Sequence, residues 1–487
     1  MAKLDIRKDL EKRKYHVTNR FYYWIYHTLM HVPERKFNAH YERIDDVGKC
    51  KGPCFVIFNH LSRIDHNYVM QACYPKRLNM LAGYSEFFRS HLHIVFKMNN
   101  VIPKKNYGRD ITGTKAIMSI IKQGGSVTFA PEGLASNDGM NKPIVPGTGG
   151  MLKKFGVPVY FCQLRGEYLQ NTKVCLDVRT GETYATTKLL FTPEDLKKLS
   201  VEEIDAKINE AFRHDEYAWQ KEKHIKWNMQ GRSCYRLEDL LYRCPKCGKY
   251  FTMKGEGDKI VCSECGNGAT VDDYYDFHPL NDDCVLFDTQ SEWANWQRQQ
   301  IIKEIRKDPD YKYEERVKIG RLPNDHYLKD LKTSEVVGEG LLTVDHTGMH
   351  YRDDVNKEFD FDMGYDQLYT LITELDSSYF NFYVNGEYTD YAFPRTDGVE
   401  GPEPGTTAFM SSTTIVKKTI ENFAPGDVTK FTVVIWLEGF DADCMGENPV
   451  GAALTLSMHF TSESLTQSWA KEESIPVDSA ATSSESN

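Results

Sequence analysis

Short apolar runs separated by stretches of helical periodicity organise the first 215 or so residues. Residues 54–58 (CFVIF) read as a buried strand that runs straight into polar Asn59 and His60. Similar runs at 94–101, at 126–130 after the turn pair Gly124-Gly125, and at 157–164 predict further strands. Residues 110–122 (DITGTKAIMSIIK) repeat their apolar positions with helical spacing, as do 193–214, and the first 50 or so residues read as helix. Alternation of this kind predicts an α/β layer architecture, a mixed sheet flanked by helices, over 1–225.

Further along the chain the pattern changes twice. Residues 244–265 carry two Cys-x-x-Cys pairs, and Thr289 and Glu292 then have capping-box spacing ahead of a long helical pattern. Beyond Val336 the runs GLLTVDHTGMHY, LYTLITEL and SYFNFYVNGEYTDYAF read as strands, with Asn385-Gly386 as a two-residue hairpin signal. Residues 398–405 (GVEGPEPG) have linker composition, and the Ser-rich acidic tail reads as disordered. The expected organisation is 1–225, a cysteine module at 240–275, a helix with an accessory β-rich domain at 285–397, a β-sandwich-like segment at 405–462, and a disordered tail at 463–487. No repeat of fixed period is present.

Composition narrows the classes of function. With 60 Lys and Arg against 70 Asp and Glu, the chain is mildly acidic, which argues against a protein that works by neutralising a polyanion. The start MAKLDIRKDLEKRKYH is charged throughout and contains no secretory apolar core, and no stretch suits a bilayer span, so a cytoplasmic location is expected. Residues 21–32 (FYYWIYHTLMHV) have the aromatic density of a membrane-surface contact, and read equally as a core helix. Twelve cysteines, four of them in the two pairs and the rest scattered, favour metal binding over disulfides and indicate a reducing compartment.

Asn59-His60-Leu61-Ser62-Arg63-Ile64-Asp65 is the most informative stretch. A histidine can deprotonate an alcohol for attack on a thioester, and a carboxylate on its other ring nitrogen fixes the tautomer and stabilises the imidazolium. Residues five apart on a regular helix differ by about 140°, so His60 and Asp65 meet only if His60 precedes the helix and the chain turns between them. A second block, Phe129-Ala130-Pro131-Glu132-Gly133-Leu134-Ala135-Ser136, follows the strand and the Gly124-Gly125 turn. Backbone amides at such a glycine turn, with basic side chains nearby, can hold a phosphate or an oxyanion. Glu132 either accepts from substrate hydroxyls or anchors the turn, and each block taken alone also occurs as ordinary cap or turn chemistry.

Together, NHLSRID, VIPKK, FAPEGLAS and VPVYF, in that order, resemble the four blocks of the lysophosphatidic acid and glycerol-phosphate acyltransferase superfamily, over about residues 20–215. The resemblance implies His60 as general base and Asp65 as its partner. It places Lys104 where the family has a phosphate-binding arginine, with Lys105 and Arg109 close by, and puts Glu132 and Gly133 at the substrate. Lysine keeps the charge and loses the bidentate fork. The third block departs from the family's FPEGTRS by inserting Ala130 and by carrying Leu134 and Ala135 in place of Thr and Arg, which loosens the implied headgroup. Val157-Pro158 matches the fourth block. As a whole the resemblance implies an acyltransferase that moves a fatty acyl group from acyl-CoA or acyl carrier protein to a lysophospholipid such as 1-acyl-glycerol-3-phosphate, working peripherally on the inner face of the membrane.

Cys244-Pro-Lys-Cys247-Gly and Cys262-Ser-Glu-Cys265-Gly form two knuckles whose thiolates can surround one structural Zn²⁺, and the module resembles a zinc ribbon. Ribbons of this kind also bind nucleic acid or protein, which supplies the rival function: a binding module beside an acyltransferase-like domain that has lost catalysis. The basic residues around the cysteines are offset by Glu256, Asp258, Glu264, Asp272 and Asp273, which argues against nucleic acid. Residues 405–462 resemble the β-sandwich of fibre-forming proteins of the camelysin type through VVIWLEGFDADC.

Overall fold

The computed structural model describes residues 5–34, 37–105, 110–145, 147–175, 177–329 and 334–364, together with short strands at 391–392, 407–408, 460–462 and 473–475. Helices α1 (Ile6–Lys12) and α2 (Arg20–Glu34) lead into a seven-stranded sheet. Its strands are β1 (Ala39–Arg43), β2 (Phe55–Phe58), β3 (Leu78–Gly83), β4 (Ile102–Lys104), β5 (Ser126–Phe129), β6 (Val159–Arg165) and β7 (Thr183–Phe191), in the order β1-β7-β6-β2-β5-β3-β4. Strands β2 to β6 run parallel to one another, whereas β7 lies antiparallel to β6 and pairs in parallel with β1 at the edge. The helices are α3 (Asp65–Cys73), α4 (His93–Met98), α5 (Ile111–Lys122), α6 (Thr148–Phe155), α7 (Glu167–Gln170), α8 (Pro193–Lys198), α9 (Val201–Phe212) and α10 (Glu216–Lys223).

Strand β2 is apolar at every position because both of its faces are covered, as central parallel strands require. Val56 and Phe58 join a core with Val69, Cys162, Leu164 and Trp227, while Phe55 and Ile57 join one with Ile117, Leu152, Phe161, Ile208 and Phe212. Because β2 to β6 are parallel, the segments that follow them gather at one edge: Asn59-His60, Tyr84, Lys104-Lys105, the 130–136 block and Gly166-Glu167. In open α/β sheets this carboxyl edge is where ligands bind.

The second half begins with a four-stranded antiparallel sheet, β8 (Met253–Glu256), β9 (Lys259–Cys262), β10 (Gly268–Val271) and β11 (Phe277–Pro279), and then the long helix α11 (Gln290–Lys307). Its core contains Leu241, Cys244, Cys262, Val271 and the fully buried Trp293 of α11, with Val174 of the first region packed against it. An exposed antiparallel meander follows, β12 (Lys312–Arg321), β13 (Glu335–Asp345), β14 (Gly348–Asp353) and β15 (Phe361–Gly364). By compactness the chain divides into Met1–Glu421 and Asn422–Asn487. In the latter unit Phe460–Ser462 pairs antiparallel with Glu473–Ile475, so a strand stands within the tail read as disordered.

Several elements differ from the sequence reading. The run at 94–101 is the helix α4 and a turn, since a short apolar run does not distinguish helix from strand and the turn before it already carries helical hydrogen bonds, His93 N to Arg89 O and Phe96 N to Leu92 O. Residues 39–43, read with the N-terminal helices, form the edge strand β1, and 193–214 is two helices because Ser200 starts a second capping box with Glu203. The Asn385-Gly386 hairpin, the 398–405 linker and the VVIWLEGFDADC segment lie outside the described residues.

Candidate functional site

The end of β2 is locked before it turns. The fully buried Asn59 donates from Nδ2 to Leu164 O at 2.9 Å and accepts from Leu164 N at 2.7 Å, so its amide continues the pairing of β2 with β6 beyond the last strand residue. The chain then turns at 60–64, and α3 starts at Asp65, whose charge lies in the first helical turn where the macrodipole favours it. This is the geometry under which His60 and Asp65 can meet. His60 Nδ1 lies 2.8 Å from Asp65 Oδ2.

Asp65 is 1% exposed and accepts three further hydrogen bonds, from Leu61 N at 2.7 Å, Ser62 N at 2.9 Å and Ser62 Oγ at 2.7 Å. The two amides fix the carboxyl group in orientation, and with Asp65 ionised the proton shared with His60 resides on Nδ1. The His60 side chain is 28% exposed, and among the described residues no hydrogen bond engages its Nε2. A partly exposed imidazole with Nδ1 donated to a buried carboxylate can accept a proton at Nε2. Burial pushes His66 down to about 4, and burial, then the Glu216 and Asp65 charges, push Glu167 well above the usual carboxyl range, so both are neutral.

Glu132 occupies a different position from the one a substrate-contacting carboxylate would take. It is 1% exposed and accepts from His60 N at 3.1 Å, Asn141 Nδ2 at 3.0 Å and Lys142 N at 3.2 Å. It therefore ties the block after β5 to the backbone of His60, and Ser136 N closes the same link by donating to His60 O at 2.7 Å. Burial pushes the Glu132 carboxyl up to about 7, against these N–H donors and the His60 charge. Gly133 turns with φ 82°, its N–H donating to Ala130 O. Gly124 and Gly125 precede β5, at the opposite edge of the sheet, and their N–H groups donate to Ile121 O and Ile120 O as the cap of α5. That turn therefore has no amide to offer an anion at the site.

The basic residues stand apart from the pair. Lys104 ends β4, three strand spacings or about 14 Å from β2. Its Nζ donates to Lys105 O, and Lys105 Nζ lies 5.1 Å from the centre of the Tyr84 ring. Arg109 lies outside the described residues. Asn59, Ser62 and Asn141 carry the scaffold, yet only Asn59 and Ser62 fall inside the stretch that the sequence marked, and nothing in the local pattern distinguishes Asn141.

The four cysteines of the two knuckles converge, with all Sγ atoms within 4.8 Å of one another. Cys244 and Cys265 Sγ are 3.6 Å apart and Cys247 and Cys262 Sγ 3.8 Å, far beyond a disulfide bond and close to the roughly 3.8 Å edge of a tetrahedron of thiolates about 2.3 Å from a zinc ion. Gly248 and Gly266 turn the knuckles in the left-handed region, φ 73° and 71°, with their N–H groups donating to Cys244 O and Cys262 O. The donor set and its spacing fit a tetrahedral metal ion.

Residues 27–164 match the family model described as Acyltransferase, a span that holds His60, Asp65, Lys104, Lys105, Glu132 and Gly133. The match supports acyltransferase chemistry in this part of the chain. Among solved structures the chain is similar to the 1-acyl-sn-glycerophosphate (LPA) acyltransferase PlsC from Thermotoga maritima, at 18% identity over 44% of this chain and 79% of that one, with a TM-score of 0.33. No curated protein matches the chain.

The raised Glu132 carboxyl has a measurable consequence. With an ordinary value of 4.5 and a folded value of about 7, the folded state binds more protons between the two, so its stability falls as pH rises there, by up to about 1.4 kcal/mol per pH unit. Glu132→Gln removes this linkage, and the stability of the variant relative to the parent, measured by urea unfolding, is expected to grow from pH 4.5 to 7. Parallel profiles for the two proteins would contradict the buried-acid assignment.

Proposed function

We infer that the first region transfers a fatty acyl group from a thioester, of coenzyme A or acyl carrier protein, to the hydroxyl of a lysophospholipid such as 1-acyl-glycerol-3-phosphate. The observation that carries this reading is the His60 to Asp65 contact at the carboxyl edge of the sheet, with Nδ1 engaged and the ring partly exposed. In the proposed step His60 Nε2 takes the proton of the acceptor hydroxyl as its oxygen attacks the thioester carbonyl. The tetrahedral intermediate collapses with loss of the thiolate, which recovers the proton from the imidazolium. Asp65 stabilises that imidazolium without itself being protonated. No acyl-enzyme forms.

Lys104 and Lys105, at the same carboxyl edge of the sheet, are assigned to the acceptor phosphate. Glu132 is assigned to holding His60 rather than to substrate. Among the described residues no helix is long and apolar enough to cross a membrane. The lipid is instead met by α2, which buries Tyr23 and bonds α3 through Tyr26 and Gln71, while Phe21, Trp24 and Leu29 are exposed on its other side. An apolar aromatic face of this kind suits the headgroup boundary of a peripheral protein. The cysteine cluster is assigned a structural Zn²⁺, since four thiolates leave no open position. Arg243 bonds Gly248 and Tyr250 and pairs with Glu304 of α11, and Lys249 pairs with Glu264, so two of the basic residues around the cysteines are taken up in packing, which favours that role over nucleic-acid binding.

Purified protein given a long-chain acyl-CoA and a panel of lysophospholipids is expected to release thiol in an acceptor-dependent way, and His60→Ala to lower the rate about 10²- to 10⁴-fold while remaining folded. Unchanged release by the variant would remove His60 from the chemistry. Elemental analysis is expected to find one zinc per chain in the parent and none in Cys244→Ser/Cys262→Ser, with chelation exposing four thiols together. Metal-free parent protein with a folded ribbon would refute the zinc assignment.

A further inference from the structure

The block after β5 reaches His60 through Glu132 and Ser136. The loop that continues it is held from the first region, where Tyr168 donates to Asn137 O at 2.8 Å and Asn141 N to His214 O at 3.2 Å, and also from α11, outside the family-like region. Ser136 Oγ donates to Met140 O at 2.7 Å and accepts from Gly139 N at 2.9 Å, closing a tight loop, and Asp138 Oδ1 accepts from Met140 N at 3.1 Å. The other oxygen of Asp138, whose side chain is 6% exposed, pairs with the guanidinium of Arg298 on α11. Seven residues earlier on the same helix, Ser291 Oγ donates at 2.8 Å to Asp215, the cap residue of α10. Positions 291 and 298 are two turns apart and share one stripe of the helix.

The opposite stripe of α11 holds the cysteine module. Trp293 Nε1 donates to Arg243 O at 2.9 Å, Gln297 bonds Leu240 O at 2.5 Å and Arg243 N at 3.3 Å, and Glu304 pairs with Arg243 at 2.7 Å. Arg243 immediately precedes Cys244. Helix α11 is thus a beam with one side fixed to the first knuckle and the other to the loop that supports His60.

We propose that Arg298 is a positioning residue for the acyl transfer: its guanidinium, braced by the ribbon through α11, fixes the 136–141 loop and through Ser136 and Glu132 the backbone of His60. This role rests on the acyl transfer inferred for His60. Removing the guanidinium leaves a buried Asp138 anion unpaired, and the loop relieves it by swinging Asp138 toward water. Ser136, Asn141 and Lys142 move with it, and His60 loses the alignment of Nε2 with the acceptor hydroxyl. Such a displacement costs turnover and leaves ground-state binding in place.

The test compares metal-loaded full-length parent, Arg298→Met, Arg298→Lys and, as a control on the exposed side of α11, Gln299→Ala. Arg298→Met is expected to lower kcat about ten- to a hundredfold with KM within about twofold, and Arg298→Lys to recover part of the loss. Hydrogen exchange is expected to speed at the amides of Ser136, Met140 and Lys142, while those of Cys244 and Cys262 stay protected. Unchanged kcat with unchanged exchange at the loop would overturn the proposal, as would exchange that rises equally through the ribbon, which signals general loosening. If the parent shows no acyl transfer with any donor, the functional reading falls while the exchange measurements still decide whether Arg298 braces the loop.

Discussion

The site is organised around one buried carboxylate. Asp65 gathers the His60 ring, the Leu61 and Ser62 amides and the Ser62 hydroxyl on its two oxygens, and these four donors define the turn between β2 and α3. A carboxylate taken out of water requires this many partners, so the turn and the charge stabilise each other. The same constraint explains the polar side chains around it: Asn59 extends the β2 pairing so that the turn starts from a fixed point, and the first turn of α3 presents its dipole to the charge.

A parallel sheet makes this arrangement economical. Strands β2, β4 and β5 deliver His60, a pair of lysines and a supporting loop to one edge from segments distant in sequence, and each needs only a short connection. The supporting loop differs from the other two segments, because its glutamate faces inward. Burial raises Glu132 toward neutrality even as three N–H donors converge on it, and through them it joins the His60 and Lys142 backbones. The cysteine module and α11 extend these contacts outward, through Trp293 and Gln297 on one side of the helix and the Arg298 pair with Asp138 on the other.

How much of this could be read in the sequence depended on whether the signal was local. The apolar β2 run followed by Asn-His, the paired cysteines and the cap at Thr289 involve residues within a few positions of one another, and those elements are found where the pattern places them or close to it. The requirement that His60 precede the helix comes from helix geometry and is what the turn shows. Long-range features left no local trace: β1 joins the sheet only through β7, Arg298 meets Asp138 across 160 positions, and the inward direction of Glu132 depends on Asn141 and Lys142. The run at 94–101 is helical because its length fits either structure and its surroundings decide.

The protonation state of His60 tests the account most directly. Nitrogen-15 NMR of the histidine rings at neutral pH is predicted to show His60 with its proton on Nδ1, slow to exchange and shifted downfield by the Asp65 carboxylate, and with Nε2 bare. A proton on Nε2, or an Nδ1 proton that exchanges as fast as that of an exposed histidine, would contradict the assignment of His60 as a base poised by Asp65.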